Sequence, residues 1–318
     1  MNSNNTISDT PSASEADLKL VCPLCRDDLI RNEDHIQCST STHPDCPGTF
    51  KLENGFPDLI IGDRFDDASD DTCLCYEENS NRYTTEHYWI PTFKKLFEGL
   101  GRPPRILSLG CGTGTEVDML NDAGFDCWGI DNGNRTQVWP NRTAHAKLML
   151  ANGMHLPFSS GSFDAVFCGC VFPHVGVVGD SNIVAENGLE DRQNLADEMT
   201  RVLKTGGKII VSSPNRYFPF DIFHGRQPGS YKPVFNPPGS RFLFSVGDYS
   251  NMFKSSGCSQ ASARPITGYW GFIRSKNSFK GALFAMPVRF IFWLVSTEPF
   301  KFLRRSPLPP WVVVEVTK

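Results

Sequence analysis

The chain has no run of about 20 uncharged apolar residues, the length that a membrane-spanning helix needs. Its nearest approach, residues 281–297, is broken by Pro287 and Arg289. A secretory signal is missing too. Residues 1–17 are rich in Ser, Asn and Thr, hold no apolar core and read as a disordered leader. Positive charge is in short supply: 31 Lys and Arg face 35 Asp and Glu, and residues 1–100 carry eight against nineteen. So acidic an N-terminal third is a poor match for a phosphate backbone, and nucleic acid is not the expected partner. The basic stretch, residues 271–318 with eight Lys/Arg and two Asp/Glu, is also apolar. Nor is a disulfide framework indicated. The 11 cysteines are odd in number, and Cys127, Cys168 and Cys170 fall on predicted core strands. That usage fits a reducing, cytoplasmic compartment with thiols and metal ligands. Internal repeats are absent. There remain 318 residues, 40% of them hydrophobic, enough for one large domain with additions.

Within that chain, Ile106-Leu107-Ser108-Leu109-Gly110-Cys111-Gly112-Thr113-Gly114 is the most informative stretch. A short apolar run, predicted as a strand, breaks into alternating glycines and continues into Glu116-Val117-Asp118-Met119-Leu120, predicted as a helix. Glycines tolerate positive φ and let a ligand approach the backbone closely. The Gly-x-Gly-x-Gly spacing is tighter than the dinucleotide fingerprint Gly-x-Gly-x-x-Gly, and suits a cofactor with no phosphates to cradle. A second strand, Phe125–Ile130, ends in Asp131, 21 residues after Gly110, about where an acid meets ribose hydroxyls in a βαβ unit. Two further segments, residues 151–167 and 201–211, continue the alternation of strands and helices.

These four segments in this order resemble the class I S-adenosylmethionine-dependent methyltransferases, in the branch that includes the quinone-biosynthesis enzymes. The resemblance covers residues 83–270 and a last strand at 311–317. It implies an α/β, doubly wound, Rossmann-like sheet of seven strands with an antiparallel last strand beside the fifth. It also implies S-adenosyl-L-methionine as cofactor, held by Gly110, Cys111, Gly112 and Gly114 at its methionine end and by Asp131 and Asn132 at its ribose. Asn152, Gly153 and Met154 would take the adenine, with the Asn152 carbonyl in place of the family's usual aspartate. Ser108 is a departure, standing where the family often has an acid. Pro173 is another, where the family often has an acid before the following histidine.

Val21-Cys22-Pro23-Leu24-Cys25 is a CxxC knuckle, followed by Cys38 and Cys46. Four thiolates on two turns suit a tetrahedral structural Zn2+, with His43 able to replace either of the later cysteines; free surface thiols are the alternative. With Gly55–Ile61, the segment resembles the small zinc ribbons that precede some methyltransferase domains. It is too short to fold on its own apolar burial, so metal binding would supply its folding energy.

The resulting organisation is a leader (1–17), a zinc-ribbon-like module (18–62), an acidic linker (63–82) with Cys73 and Cys75 as loop thiols, and the methyltransferase domain (83–318). A helix is expected from about Tyr83 to Leu100, with Tyr88, Trp89, Phe93, Leu96 and Phe97 on its apolar face. After the fourth and fifth strands come residues 169–176, with His174, and residues 212–224, with His224. Both histidines are candidate bases for an acceptor that must lose a proton; Tyr217 and Asp221 are weaker candidates. Residues 272–305 form an insert: a helical hairpin packed on the domain, a lid, or a helix in peripheral contact with a membrane interface. The expected activity is methyl transfer to a small, apolar acceptor. Methylation of an RNA base, with the ribbon holding RNA, is the alternative; an inactive binding protein on the same fold is a second.

Overall fold

The computed structural model describes residues 18–62, 64, 71–179, 181–221, 234–237, 239–259, 261–269 and 279–318. The expected leader and His224 lie outside the described residues. Four short strands open the chain: β1 (Leu29–Arg31), β2 (His35–Cys38), β3 (Thr49–Glu53) and β4 (Phe56–Leu59). Helix α1 (Asp71–Thr84) passes through a π turn (Thr85–Trp89) into α2 (Ile90–Leu96). Then come β5 (Arg105–Leu109), α3 (Thr115–Asp122), β6 (Asp126–Asp131), β7 (Leu148–Ala151), β8 (Phe163–Gly169), α4 (Gly188–Val202) and β9 (Leu203–Pro214). The hairpin β10 (Phe220–Asp221) and β11 (Val234–Phe235) precedes α5 (Val246–Ser255), β12 (Ser262–Ala263), α6 (Phe279–Ser296) and β13 (Trp311–Thr317).

Among the described residues the main sheet has 11 strands in the order β1-β2-β3-β4-β7-β6-β5-β8-β9-β13-β12. Its β7-to-β12 part holds the seven expected strands. β5 through β9 pair in parallel, and β13 runs antiparallel between β9 and β12. Seven is nevertheless a correction, because the N-terminal strands extend the same sheet. Asp58 and Leu59 of β4 pair in parallel with Leu150 and Ala151 of β7.

Within the stretch expected as an acidic linker (63–82), α1 begins at Asp71, which corrects Cys73 and Cys75 from loop to helix. The acidic run has no apolar period to announce that helix. The π turn widens the helix by one residue, so the adjacent Tyr88 and Trp89 are both buried. With Phe93 they pack against Phe167 and Tyr269 in the core, which is the packing role for this aromatic stripe.

Candidate cofactor and metal sites

Gly110, Gly112 and Gly114 follow β5 with φ of 72, 51 and 76°, all in the left-handed region where a side chain is strained. A Cβ on Gly110 would run into Val171 Cγ2, so this turn is shaped by the loop after β8 as well as by its own dihedrals. The Gly110 and Cys111 amides both donate to Ile130 O at 2.9 Å, binding the turn to the end of β6. Gly114 then caps α3, whose N-terminal amides face the loop. The Cys111 side chain turns into the core, where burial and then the Asp131 charge push its thiol well above the usual range. Of the four loop positions expected at the cofactor, Cys111 therefore offers backbone only.

Asp131 works first on the protein itself. Its Oδ2 accepts from Gly112 N and its Oδ1 from Gly133 N, each at 2.8 Å. Each carboxylate oxygen keeps a second lone pair, so the group can still take two hydroxyl donors. Asn132 is half-buried on the same turn. At the end of β7, Asn152 Oδ1 accepts from Met154 N at 3.0 Å and its Nδ2 donates to Ile61 O at 3.1 Å, just past β4. The carbonyl expected to face an adenine thus first closes its own turn. Gly153 has no room for a Cβ against Leu195 Cδ1, 2.7 Å away, and Met154 is half-buried beside the core. These groups sit at the carboxyl ends of the neighbouring strands β5, β6 and β7, where a doubly wound sheet binds ligands. Positive-φ glycines, a carboxylate with open lone pairs and an adjacent helix N-terminus fit an adenosyl sulfonium with a carboxylate tail.

Three side chains that the sequence reading passed over complete this corner. Trp139, fully buried, donates its Nε1–H to Gly112 O at 2.8 Å, and Arg142 Nε donates to Thr113 O at 2.7 Å. Both follow the strand holding Asp131, in a polar stretch where a lone tryptophan was the available signal. The third, Glu116, accepts from Ser108 Oγ at 3.1 Å. A carboxylate therefore reaches the end of β5 from the first turn of α3, although position 108 lacks one.

On the other side of the sheet's midline, Cys170 N donates to Ser212 O at 2.8 Å, joining the loop after β8 to the end of β9. His174 ends a short 3-10 turn, half-buried, its ring edge-on to Phe242 with centroids 6.2 Å apart. The buried Arg192 of α4 pins this turn, donating to Val175 O, Arg241 O and Pro173 O at 3.0, 2.7 and 3.3 Å. Burial lowers that guanidinium to about 10. Ser212 Oγ shares a hydrogen bond with the Tyr269 hydroxyl, whose ring stacks on Trp311. Tyr217 is half exposed and Asp221 is buried.

The Sγ atoms of Cys22, Cys25, Cys38 and Cys46 all lie within 4.8 Å of one another. Zinc–sulfur bonds of about 2.3 Å put tetrahedral sulfurs about 3.8 Å apart, and Cys22 Sγ is 3.7 Å from Cys46 Sγ. Backbone amides aim at the sulfurs: Cys25 N at Cys22 and Ser41 N at Cys38, both 3.4 Å, and His43 N at Cys25, 3.2 Å. The equivalence of Cys25 and Ser41 marks Cys38–Ser41 as a second knuckle with serine in its fourth place, so Cys46 must come from the next turn. His43 contributes its amide to the cluster, while its Nδ1 accepts from Asp45 N at 3.2 Å, and the four sulfurs converge without its ring. Burial pushes the Cys22 thiol up to about 12. At Cys25 burial also opposes charge, but the His43 N–H and Thr42 hydroxyl outweigh it and bring the thiol to about 7. Four convergent sulfurs with N–H···S bonds fit a zinc ion.

This module is tied to the loop after β7. Val21 N donates to Pro157 O at 3.0 Å. Arg26, in the knuckle at φ 65°, donates to Leu156 O at 2.9 Å and to Glu198 Oε1 at 3.0 Å, while Glu198 Oε2 accepts from Leu156 N at 2.8 Å.

Residues 107–211 match a family model described as a methyltransferase domain. A probable S-adenosylmethionine-dependent methyltransferase of Mycolicibacterium smegmatis is 26% identical over 195 residues, 56% of this chain and 68% of that protein. A demethylmenaquinone methyltransferase of Renibacterium salmoninarum is 31% identical over 120 residues, covering 37% of this chain and 45% of that protein. Among solved structures, phosphoethanolamine N-methyltransferase 2 of Haemonchus contortus with S-adenosyl-L-methionine is similar at a TM-score of 0.45 and 16% identity, over 78% of this chain and 57% of that one. The matched segment spans about half the length of the demethylmenaquinone enzyme. The family-model match, residues 107–211, begins inside β5 and ends inside β9, taking in the glycine turn, Asp131 and Asn152. The chain thus carries a methyltransferase domain similar to that of S-adenosylmethionine-dependent methyltransferases.

Proposed function

We propose that the protein transfers a methyl group to a small, apolar acceptor seated beyond the carboxyl ends of β8 and β9. When bound, S-adenosyl-L-methionine would supply an electrophilic methyl group, the acceptor's nucleophile displacing S-adenosylhomocysteine in line as the sulfur–methyl bond breaks. The chain's residues then have three tasks. Gly110, Gly112, Gly114 and the α3 N-terminus receive the methionine end; Asp131 receives the ribose hydroxyls; Asn152, Gly153 and Met154 border the adenine. His174 is the candidate base for an acceptor that loses a proton, since imidazole titrates near neutrality and Arg192 fixes its turn. The surroundings favour an apolar acceptor: Val171, Phe172, Phe242, Tyr269 and Trp311 ring this end of the sheet. Demethylmenaquinone methyltransferases among the relatives agree with that choice. We further infer that the four cysteines hold a structural zinc, because four protein ligands leave no open position for substrate.

The observation that carries the cofactor reading is the Asp131 carboxylate bonded to Gly112 N, one group defining both ribose and methionine ends of a single cradle. Calorimetry with S-adenosylhomocysteine tests it without any acceptor. Wild-type protein binds, and Asp131→Ala weakens binding by about ten- to a hundredfold, the value of hydrogen bonds to a charged group. Unchanged binding in the variant, or preference for a pyrophosphate-bearing dinucleotide, overturns the assignment.

A further inference from the structure

Helix α6 is apolar on two sides. Its inner side is accounted for: Phe292 and Val295 are buried in the cluster with Tyr88, Tyr269 and Trp311, and Ser296 Oγ accepts from the Ile266 and Thr267 amides at 3.0 Å. Its outer side is not. Met286, Phe290 and Trp293 are 66, 58 and 56% exposed and recur at i, i+4 and i+7, one stripe of a helix. The 3-10 turn that follows, Glu298–Arg305, extends the stripe with Phe300 and Phe302, 41 and 68% exposed. Soluble proteins seldom leave so many large apolar side chains together in water.

The charge around this stripe names its partner. Residues 265–314 contain seven Lys/Arg and a single acid, Glu298, in a chain that is acidic as a whole. Arg289, Lys301 and Arg305 are exposed beside the apolar stripe. Lys301 leans on Glu298 at 3.4 Å and Arg305 donates to Ala261 O at 2.9 Å, so both lie close to the surface of the fold. Aromatic and thioether side chains rimmed by cations match the headgroup layer of a bilayer, where the rings enter the acyl boundary and the cations meet phosphates. No helix among the described residues is long and apolar enough to cross a membrane, so α6 would lie along the surface. The place is apt. The inner side of α6 covers Tyr269 and Trp311; Tyr269 bonds Ser212, and Trp311 pairs with Pro214 at the carboxyl end of β9.

We propose that the outer face of α6 and the turn after it dock on a membrane surface bearing anionic headgroups, presenting the acceptor end of the sheet to that surface. Flotation of the full chain with vesicles tests this without cofactor or acceptor, so its outcome is separate from the methyltransferase reading. Wild-type protein floats with phosphatidylglycerol/phosphatidylcholine vesicles and at least about tenfold less with pure phosphatidylcholine, as several surface cations require. Phe290→Glu with Trp293→Glu abolishes flotation while S-adenosylhomocysteine affinity stays at the wild-type value. Lys301→Glu with Arg305→Glu weakens flotation at low salt and leaves the apolar stripe intact. Failure of the wild type to float overturns the proposal, as does flotation indifferent to both double variants. So does a wild-type dimer by light scattering that Phe290→Glu splits, since a second copy then covers the face.

Discussion

Asp164, at the start of β8, accepts from Arg102 Nη1 and Nη2 at 2.7 Å, from Arg105 N at 2.8 Å and from Lys204 Nζ at 2.9 Å. One carboxylate thereby gathers the amino-terminal ends of β5, β8 and β9, opposite the ligand end of the sheet. Burial opposes its charge, but Arg102, the Arg105 amide and Lys204 outweigh it and hold the group at about 2. The folded value lies below the unfolded one, so the stabilisation is full above about pH 4 and is lost as pH falls toward 2. We expect Asp164→Asn to cost about 2 kcal/mol in urea unfolding at pH 7, at 1.36 kcal/mol per pH unit. By pH 3 the gap between variant and wild type should have shrunk by about half. A gap that stays constant over that range would mean that the charge is not what Asp164 contributes. The same scale explains why a departure from the family pattern need not be a loss. Ser108 lacks a carboxylate, yet Glu116 brings one to it from the next helix.

At the scale of elements, the knuckle holding Cys22 and Cys25 and the loop after β7 act on one another through Arg26. Its backbone closes the knuckle, with Arg26 N donating to Cys22 O at 2.9 Å, and its guanidinium reaches Leu156 O and Glu198. Arg26→Gln leaves all four thiols in place but is too short to span both contacts. Zinc content should hold at the wild-type ratio, while S-adenosylhomocysteine affinity falls by about five- to tenfold, a coupling of ordinary size between two sites. Equal affinities in calorimetry would mean that the knuckle and the loop after β7 are independent. This join was not legible in the sequence, where Arg26 is one basic residue among acids. What could be read was local. The strands at 105–109, 126–131, 163–169 and 311–317 are apolar or β-branched runs, the first three ended by glycine or acid and the last preceded by proline. The glycine turn and Asp131 announced themselves by spacing, and the first CxxC by its thiols. The second knuckle was hidden because serine occupies its last position. Trp139, Arg142 and Arg192 were hidden because their roles depend on backbone carbonyls brought near only by the fold. The start of α1 was hidden by an acidic sequence with no apolar face.

Taken as a whole, the described residues build one continuous main sheet whose outer strands differ in what holds them. At one margin, β13 runs seven registered pairs along β9. At the other, β4 meets β7 through two, and β1 to β3 hang from β4 as short hairpins around the cysteines. These strands add Ile36, Phe50 and Leu59 to the main core, and the proposed zinc would supply the rest of what holds so small a group together. Chelation should therefore unfold the sheet from one edge. Hydrogen exchange on stripped protein is expected to rise throughout residues 29–59 and to spread into Ala151–Leu156, where Ile61 O and Arg26 no longer hold Asn152 and Leu156. The β9–β13 margin should keep its protection, and the readout needs neither cofactor nor turnover. If faster exchange stops at Glu53 and leaves Ala151–Leu156 as protected as before, the metal stabilises an appendage. If it crosses β4 into that loop, the cysteine-bearing strands are part of the wall that shapes the proposed cofactor site.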